Sequence, residues 1–163
     1  MRIPVRLRSS KSIAVFLLTL FALSSCDVYP ESGKWSGDTS VIDERSHESY
    51  RCPLSVDLTR TSEVVMIRSL DLFCGSRSLH WSPDAYTRRG SELFKDGQKV
   101  GDVYADGTVR LELRDPYFSD RYPNRVNKLV VTWSRMGDAL HFSLREETEG
   151  YTRTVEGSLR TAI

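Results

Sequence analysis

Apolar and polar positions alternate along much of the chain beyond residue 32. Leu54, Val56 and Leu58 are interleaved with Ser55, Asp57 and Thr59, and Val109, Leu111 and Leu113 with Arg110, Glu112 and Arg114. Leu129, Val131 and Trp133 share a third face, and Leu140, Phe142 and Leu144 a fourth. A period of two puts successive side chains on opposite sides of a strand, so each run predicts a half-buried strand. Residues 64–73 are more uniformly apolar and predict a more central strand. Tight-turn pairs fall between the runs: Asp96-Gly97, Asp106-Gly107, Gly137-Asp138 and Glu149-Gly150. Nothing beyond residue 32 repeats with a 3.6-residue period between caps; residues 82–89 are the best candidate for one short helical turn.

These signals give about eight strands, near 34–41, 53–60, 64–73, 91–95, 98–105, 108–114, 127–134 and 139–146, and a ninth near 151–160. Short connections favour neighbouring antiparallel strands. One apolar face must be buried and two edges protected, and closing the sheet on itself does both. The expected fold is therefore all-β: a small antiparallel up-and-down β-barrel of about eight strands. Such a barrel is just wide enough to be filled by side chains or to hold one small ligand.

The first 25 residues follow a different pattern. Arg2, Arg6, Arg8 and Lys11 precede an unbroken apolar run over residues 13–23. As a helix this run is about 16 Å long, half the hydrocarbon thickness of a bilayer. A short apolar run behind a basic flank fits a cleaved secretory signal better than a membrane span. Leu23-Ser24-Ser25-Cys26 follows directly. It resembles the lipobox of bacterial lipoproteins, which implies cleavage before Cys26 and diacylglycerol on its thiol. At least two acyl chains then make membrane anchoring stable. The expected organisation is a signal peptide over 1–25, a lipidated tether over 26–32 and a β-barrel domain over 33–163. Fully extended, residues 27–32 reach roughly 20 Å. Asp27 resembles the inner-membrane retention signal of enteric lipoproteins, and the choice between inner and outer membrane stays open.

Cleavage changes the charge. Removing the four basic side chains of the leader from the chain's 23 leaves 19 against 22 acidic ones, a balance of −3 over 138 residues. That balance gives nucleic acid no support as a partner. With Cys26 lipidated, Cys52 and Cys74 remain, and an exported compartment makes a disulfide their default state. If their strands form a hairpin turning near residues 60–63, the two cysteines meet at its open end. His47, His80 and His141 show no ligand spacing, so no metal or cofactor is expected.

Gly33-Lys34-Trp35 stands where the first strand begins. It resembles the Gly-x-Trp motif of lipocalins and their calycin relatives. In those barrels the Trp plugs the closed end and an Arg of the last strand packs across it. The resemblance implies barrel closure by Trp35 with Arg153 or Arg160, and a small apolar ligand inside. Tyr50-Arg51-Cys52 is similar to the periplasmic lysozyme inhibitors, without the loop motif they insert into the enzyme, and stands for protein-partner binding.

Catalytic signatures are not visible: there is no Gly-x-Ser-x-Gly, His-Glu-x-x-His or P-loop, and Glu146, Glu147 and Glu149 read as a solubilising turn. The chain is therefore read as a non-enzymatic binding protein. Its longest irregular segment, residues 115–126, carries Tyr117, Phe118, Arg121 and Tyr122 between prolines. Tyr and Arg are enriched at interface hot spots, and long loops in compact domains are often functional. These four residues are the candidate binding surface for an envelope protein, as the alternative to a ligand in the barrel.

Overall fold

The computed structural model describes residues 29, 31–75, 78–114, 126–148 and 151–162. Cys26, the leader and residues 115–125, with Tyr117, Phe118, Arg121 and Tyr122, lie outside the described residues. Eleven strands are described: β1 (Gly33–Asp43), β2 (Glu48–Arg60), β3 (Val64–Leu72), β4 (Leu79–Trp81), β5 (Asp84–Arg89), β6 (Glu92–Lys95), β7 (Gln98–Val103), β8 (Val109–Arg114), β9 (Val126–Met136), β10 (Ala139–Thr148) and β11 (Tyr151–Thr161). There is no helix longer than a turn among the described residues, and the fold is all-β.

Every pairing is antiparallel, and the ladder returns on itself. β1 pairs with β2 on one side and with β11 on the other. From β2 the ladder runs through β3 to β5 and on in sequence order to β11. β3 carries β5 on its first half and β4 on its second. Closure leaves few unpaired edges, which is what a meander with one apolar face requires.

The four alternating runs all point inward at their apolar positions. Leu54, Val56, Leu58, Leu111, Leu129, Val131, Trp133, Leu140 and Leu144 are buried, and they belong to one cluster with Trp35, Tyr86, Leu93 and Leu159. In β3 the inward parity changes from Val65 and Ile67 to Leu70 and Leu72. The cause is a register shift: Asp57 opposes Ser69 but Leu58 opposes Ile67, leaving Arg68 as an extra, exposed residue. The bulge lets residues of both parities, Val65 and Ile67 and then Leu70 and Leu72, point inward within one strand. Asp96 and Gly97 both have positive φ between the paired Lys95 and Gln98, the geometry of a type I′ hairpin turn. At Gly157 an added Cβ would lie 2.7 Å from Thr39 Cγ2, so the close approach of β1 and β11 needs glycine there.

Two expectations are corrected. The sheet has eleven strands rather than about eight, the additions including β4 and β5. Residues 84–89, within the segment read as a helical turn, form β5. Its one large apolar side chain, Tyr86, is fully buried, between exposed Ala85 and Thr87. Pairing with β3 outweighs any local helical preference.

The strands give the ring two ends. At the proximal end lie the leading residues 29–32 and the turns at 61–63, 90–91, 104–108 and 137–138. At the distal end lie the turns at 44–47 and 96–97 and the disulfide-linked segment after β3.

Candidate functional site

At the proximal end the chain folds back over the ring before β1 begins. Trp35 points inward, and its indole N–H donates to the Glu31 carbonyl at 2.9 Å. Ser32 Oγ accepts from the Arg60 backbone N–H at 2.9 Å. Arg60, on the last residue of β2, pairs with the Glu31 carboxylate and donates to the Gly107 carbonyl at 2.8 Å. Both side chains of this pair are about 95% buried. The Tyr29 ring lies 4.4 Å from the Arg60 guanidinium, and its hydroxyl accepts from Arg88 at 3.2 Å. Glu31 Oε2 and Arg60 Nε are buried without a hydrogen-bond partner among the described residues. A cleft of about 430 Å³ opens beside them between Tyr29, Arg88, Tyr104 and Arg135. A donor and an acceptor left unsatisfied in a polar cleft make a place for bridging water. Glu31 and Ser32, expected in the tether, thus belong to the packed ring.

The arginine over Trp35 is not one of those expected. Arg135, at the end of β9, lies 5.8 Å from the indole ring. Trp35 pairs with Thr161, whereas Arg153 pairs with Asp43 at the other end of the same two strands. Arg160 is outward by strand parity, 81% exposed, and reaches Asp138 at 3.5 Å. Arg153 is inward and buried, and donates to Glu146 at 3.0 and 2.6 Å from Nε and Nη2. Glu146, expected in a solubilising turn, is therefore half of a distal plug. Asp43 caps the 44–47 turn by accepting from the N–H groups of Arg45 and Ser46.

Cys52 and Cys74 are joined by a disulfide with Cα atoms 5.3 Å apart. The hairpin places them there: Thr61 closes its turn by accepting from Val64 N–H at 3.0 Å, and Phe73 N–H bonds to the Pro53 carbonyl across its open end.

The larger of the two cavities, about 890 Å³, is a cleft lined by residues of β4 to β8. Trp81, Val100 and Leu113 give it apolar walls, and charged side chains surround them. Several of those charges are paired. Lys95 donates to Asp84 at 2.7 Å, and Lys99 bridges Glu92 at 2.9 Å and Asp102 at 2.8 Å. The two carboxylates push Lys99 well above its ordinary value, so it stays an ammonium and is no nucleophile. Tyr86 donates to Asp84 at 2.8 Å. Burial first, and then the Asp84 charge, push its phenol far above the ordinary value, so it stays neutral. Residues 115–126 leave from Arg114, which lines this cleft beside Leu113.

His80 pairs with Asp71, and His141 lies 3.2 Å from Ser158 Oγ. Among the described residues no group of three His, Cys, Asp or Glu side chains is placed to hold a metal ion, and no helix is long and apolar enough to cross a membrane. No protein-family model, curated protein or solved structure matches this chain.

Proposed function

We propose that the chain is an exported lipoprotein, anchored by lipid on Cys26, whose lipocalin-like barrel has a non-catalytic binding role and takes a protein partner of the cell envelope on its outer surface. One observation carries the choice of partner over interior ligand. Val56, Ile67, Leu70, Tyr86, Leu111, Leu129, Val131 and Leu140 line the inside of the ring and are 0% exposed. A side chain with no accessible area borders no water-sized void, so the ring is filled at these positions. Binding then falls to the surface, where the 890 Å³ cleft combines apolar walls with charged neighbours. That composition resembles the core and rim of a protein interface. The segment carrying Tyr117, Phe118, Arg121 and Tyr122 leaves β8 beside it.

The test is photo-crosslinking in cells from the cleft positions Lys95 and Arg114, with Glu156 on the outer face of β11 as control. Discrete adducts at the two cleft positions and none at Glu156 support the reading. Equal labelling at all three would overturn it. So would a stoichiometric apolar molecule extracted from the purified protein, which would place the ligand inside the barrel.

A further inference from the structure

The ladder between β7 and β8 is short. It runs from Val103 opposite Val109 to Gly101 opposite Leu111 and stops, although β8 continues to Arg114 beside β9. A bulge in β7 is the cause. On the β6 side Leu93 opposes Gly101 but Phe94 opposes Lys99, which leaves Val100 as an extra residue. A bulge bends its strand and adds twist, so past Val100 the tip of β7 stays with β6 and no longer pairs with β8. Gly101 is where β7 and β8 still touch: an added Cβ there would lie 2.2 Å from the Arg110 carbonyl oxygen. Gln98, Lys99 and Val100 of one strand and Glu112, Leu113 and Arg114 of the other line the 890 Å³ cleft, which therefore opens where the ladder ends.

The end of β8 is thus an open edge among the described residues. Tyr104 N–H bonds to the Thr108 carbonyl, and in an antiparallel ladder such pairs recur at every second residue. Arg110, Glu112 and Arg114 therefore turn their backbone groups toward the β7 side, and Arg114 lies beyond the last pair. An edge with unpaired N–H and C=O groups is a template for another strand. The side chains around it suit one. Leu113 and Trp81 belong to the core cluster and Val100 packs against it, so the cleft has apolar contacts to offer on its inner side. On the outward face Glu112 is held by Lys128 at 2.9 Å, whereas exposed Arg114 has no ion pair among the described residues.

We infer that the cleft receives an extended segment of the partner protein, added as a strand to the edge of β8 at Glu112, Leu113 and Arg114, with alternate apolar side chains against Trp81, Val100 and Leu113 and acidic ones beside Arg114. Main-chain bonds give such a contact its affinity and the alternate side chains give it selectivity. The inference rests on the partner reading of this cleft and adds how the partner is held. The test titrates the mature chain with an acetylated hexapeptide amide of alternating valine and glutamate, and with two versions N-methylated either at the valines or at the glutamates. A strand pairs with one neighbour through alternate residues. One methylated version should therefore bind about tenfold more weakly, the loss of one or two main-chain hydrogen bonds, and the other should bind like the parent. The Arg114→Glu variant should prefer a valine–lysine hexapeptide to the valine–glutamate one, reversing the order of the unaltered protein. Equal binding of the two methylated versions, or an unchanged charge preference in Arg114→Glu, would overturn the strand. Strong protection of the Arg114 amide from hydrogen exchange without peptide would also overturn it, because the edge would then be paired already. Crosslinking in cells from Lys95 and Arg114 separates the two readings. Adducts there with no peptide bound would remove the strand alone, and a lack of adducts would remove the partner reading and the strand with it.

Discussion

Each end of the ring is closed by a buried arginine and a glutamate, but the two pairs are built differently. At the distal end Arg153 and Glu146 are direct cross-strand partners in the β10–β11 hairpin, seven residues apart. Once that hairpin forms, the pair forms with it, and the Cys52–Cys74 disulfide staples the β2–β3 hairpin at the same end. At the proximal end Arg60 and Glu31 are 29 residues apart, and Glu31 stands on no strand. Its position depends on Trp35, Ser32, Tyr29 and Gly107 together. One closure is a by-product of strand register; the other is a long-range fastening of the leading segment. They should respond differently when broken.

The largest effect is expected for Arg60→Met. Removing one partner of a buried pair leaves an uncompensated charge, at about 3–5 kcal/mol. Arg60→Met with Glu31→Gln should recover most of that loss in urea unfolding. If the double variant is no better than the single, the pair is not what holds this end. Arg153→Met should cost less, about 1.5–3 kcal/mol for charged hydrogen bonds, because Glu146 keeps 12% of its side chain in contact with solvent.

Reducing the disulfide should destabilise the domain by about 3 kcal/mol in the loop-entropy model. The same loss should appear in the Arg60→Met background, since the two sites lie at opposite ends and should add. A strongly non-additive result would mean that the ends are coupled through the sheet.

Tyr86 gives a pH signature between the ends. Its folded-state value is raised by burial and by Asp84 above the ordinary 10.0. The stabilisation is therefore full below pH 10 and is lost as pH rises beyond it, by up to about 1.4 kcal/mol per pH unit. Tyr86→Phe should flatten that alkaline limb in thermal unfolding; an unchanged limb would assign it to other groups. The smallest effect is for Arg135→Gln, about 0.5–1 kcal/mol for the contact with Trp35, accompanied by a change in tryptophan fluorescence.

Much of the sheet was legible because alternation is a local property. Leu54 to Leu58, Val109 to Leu113 and Leu140 to Leu144 each declare a buried face without reference to the rest of the chain. The disulfide was legible for the same reason: the Thr61 turn fixes the hairpin, and the hairpin brings its cysteines together. β4 and β5 were not, since three residues around His80 and one tyrosine among polar neighbours give almost no periodic signal. Trp35 is inward, and the arginine beside its ring is Arg135 of β9 rather than Arg153 or Arg160 of the last strand. Parity says which way a side chain points and not which residue meets it across the end of a ring. That depends on closure through ten strands, which brings Arg135 to Trp35 and carries Arg153 to the opposite end. Glu31 was missed because a lone glutamate before a strand looks like any solvated tether residue. The binding surface proposed at Tyr117, Phe118, Arg121 and Tyr122 lies outside the described residues, and the structure contributes the cleft that Arg114 lines.

The lipid anchor proposed on Cys26 is the central functional claim, and the mass of the amino-terminal peptide of protein extracted from membranes tests it most directly. The expected result is a mature chain beginning at Cys26 that carries a diacylglyceryl group. A chain that keeps residues 1–25, or begins at an unmodified Cys26, would contradict it.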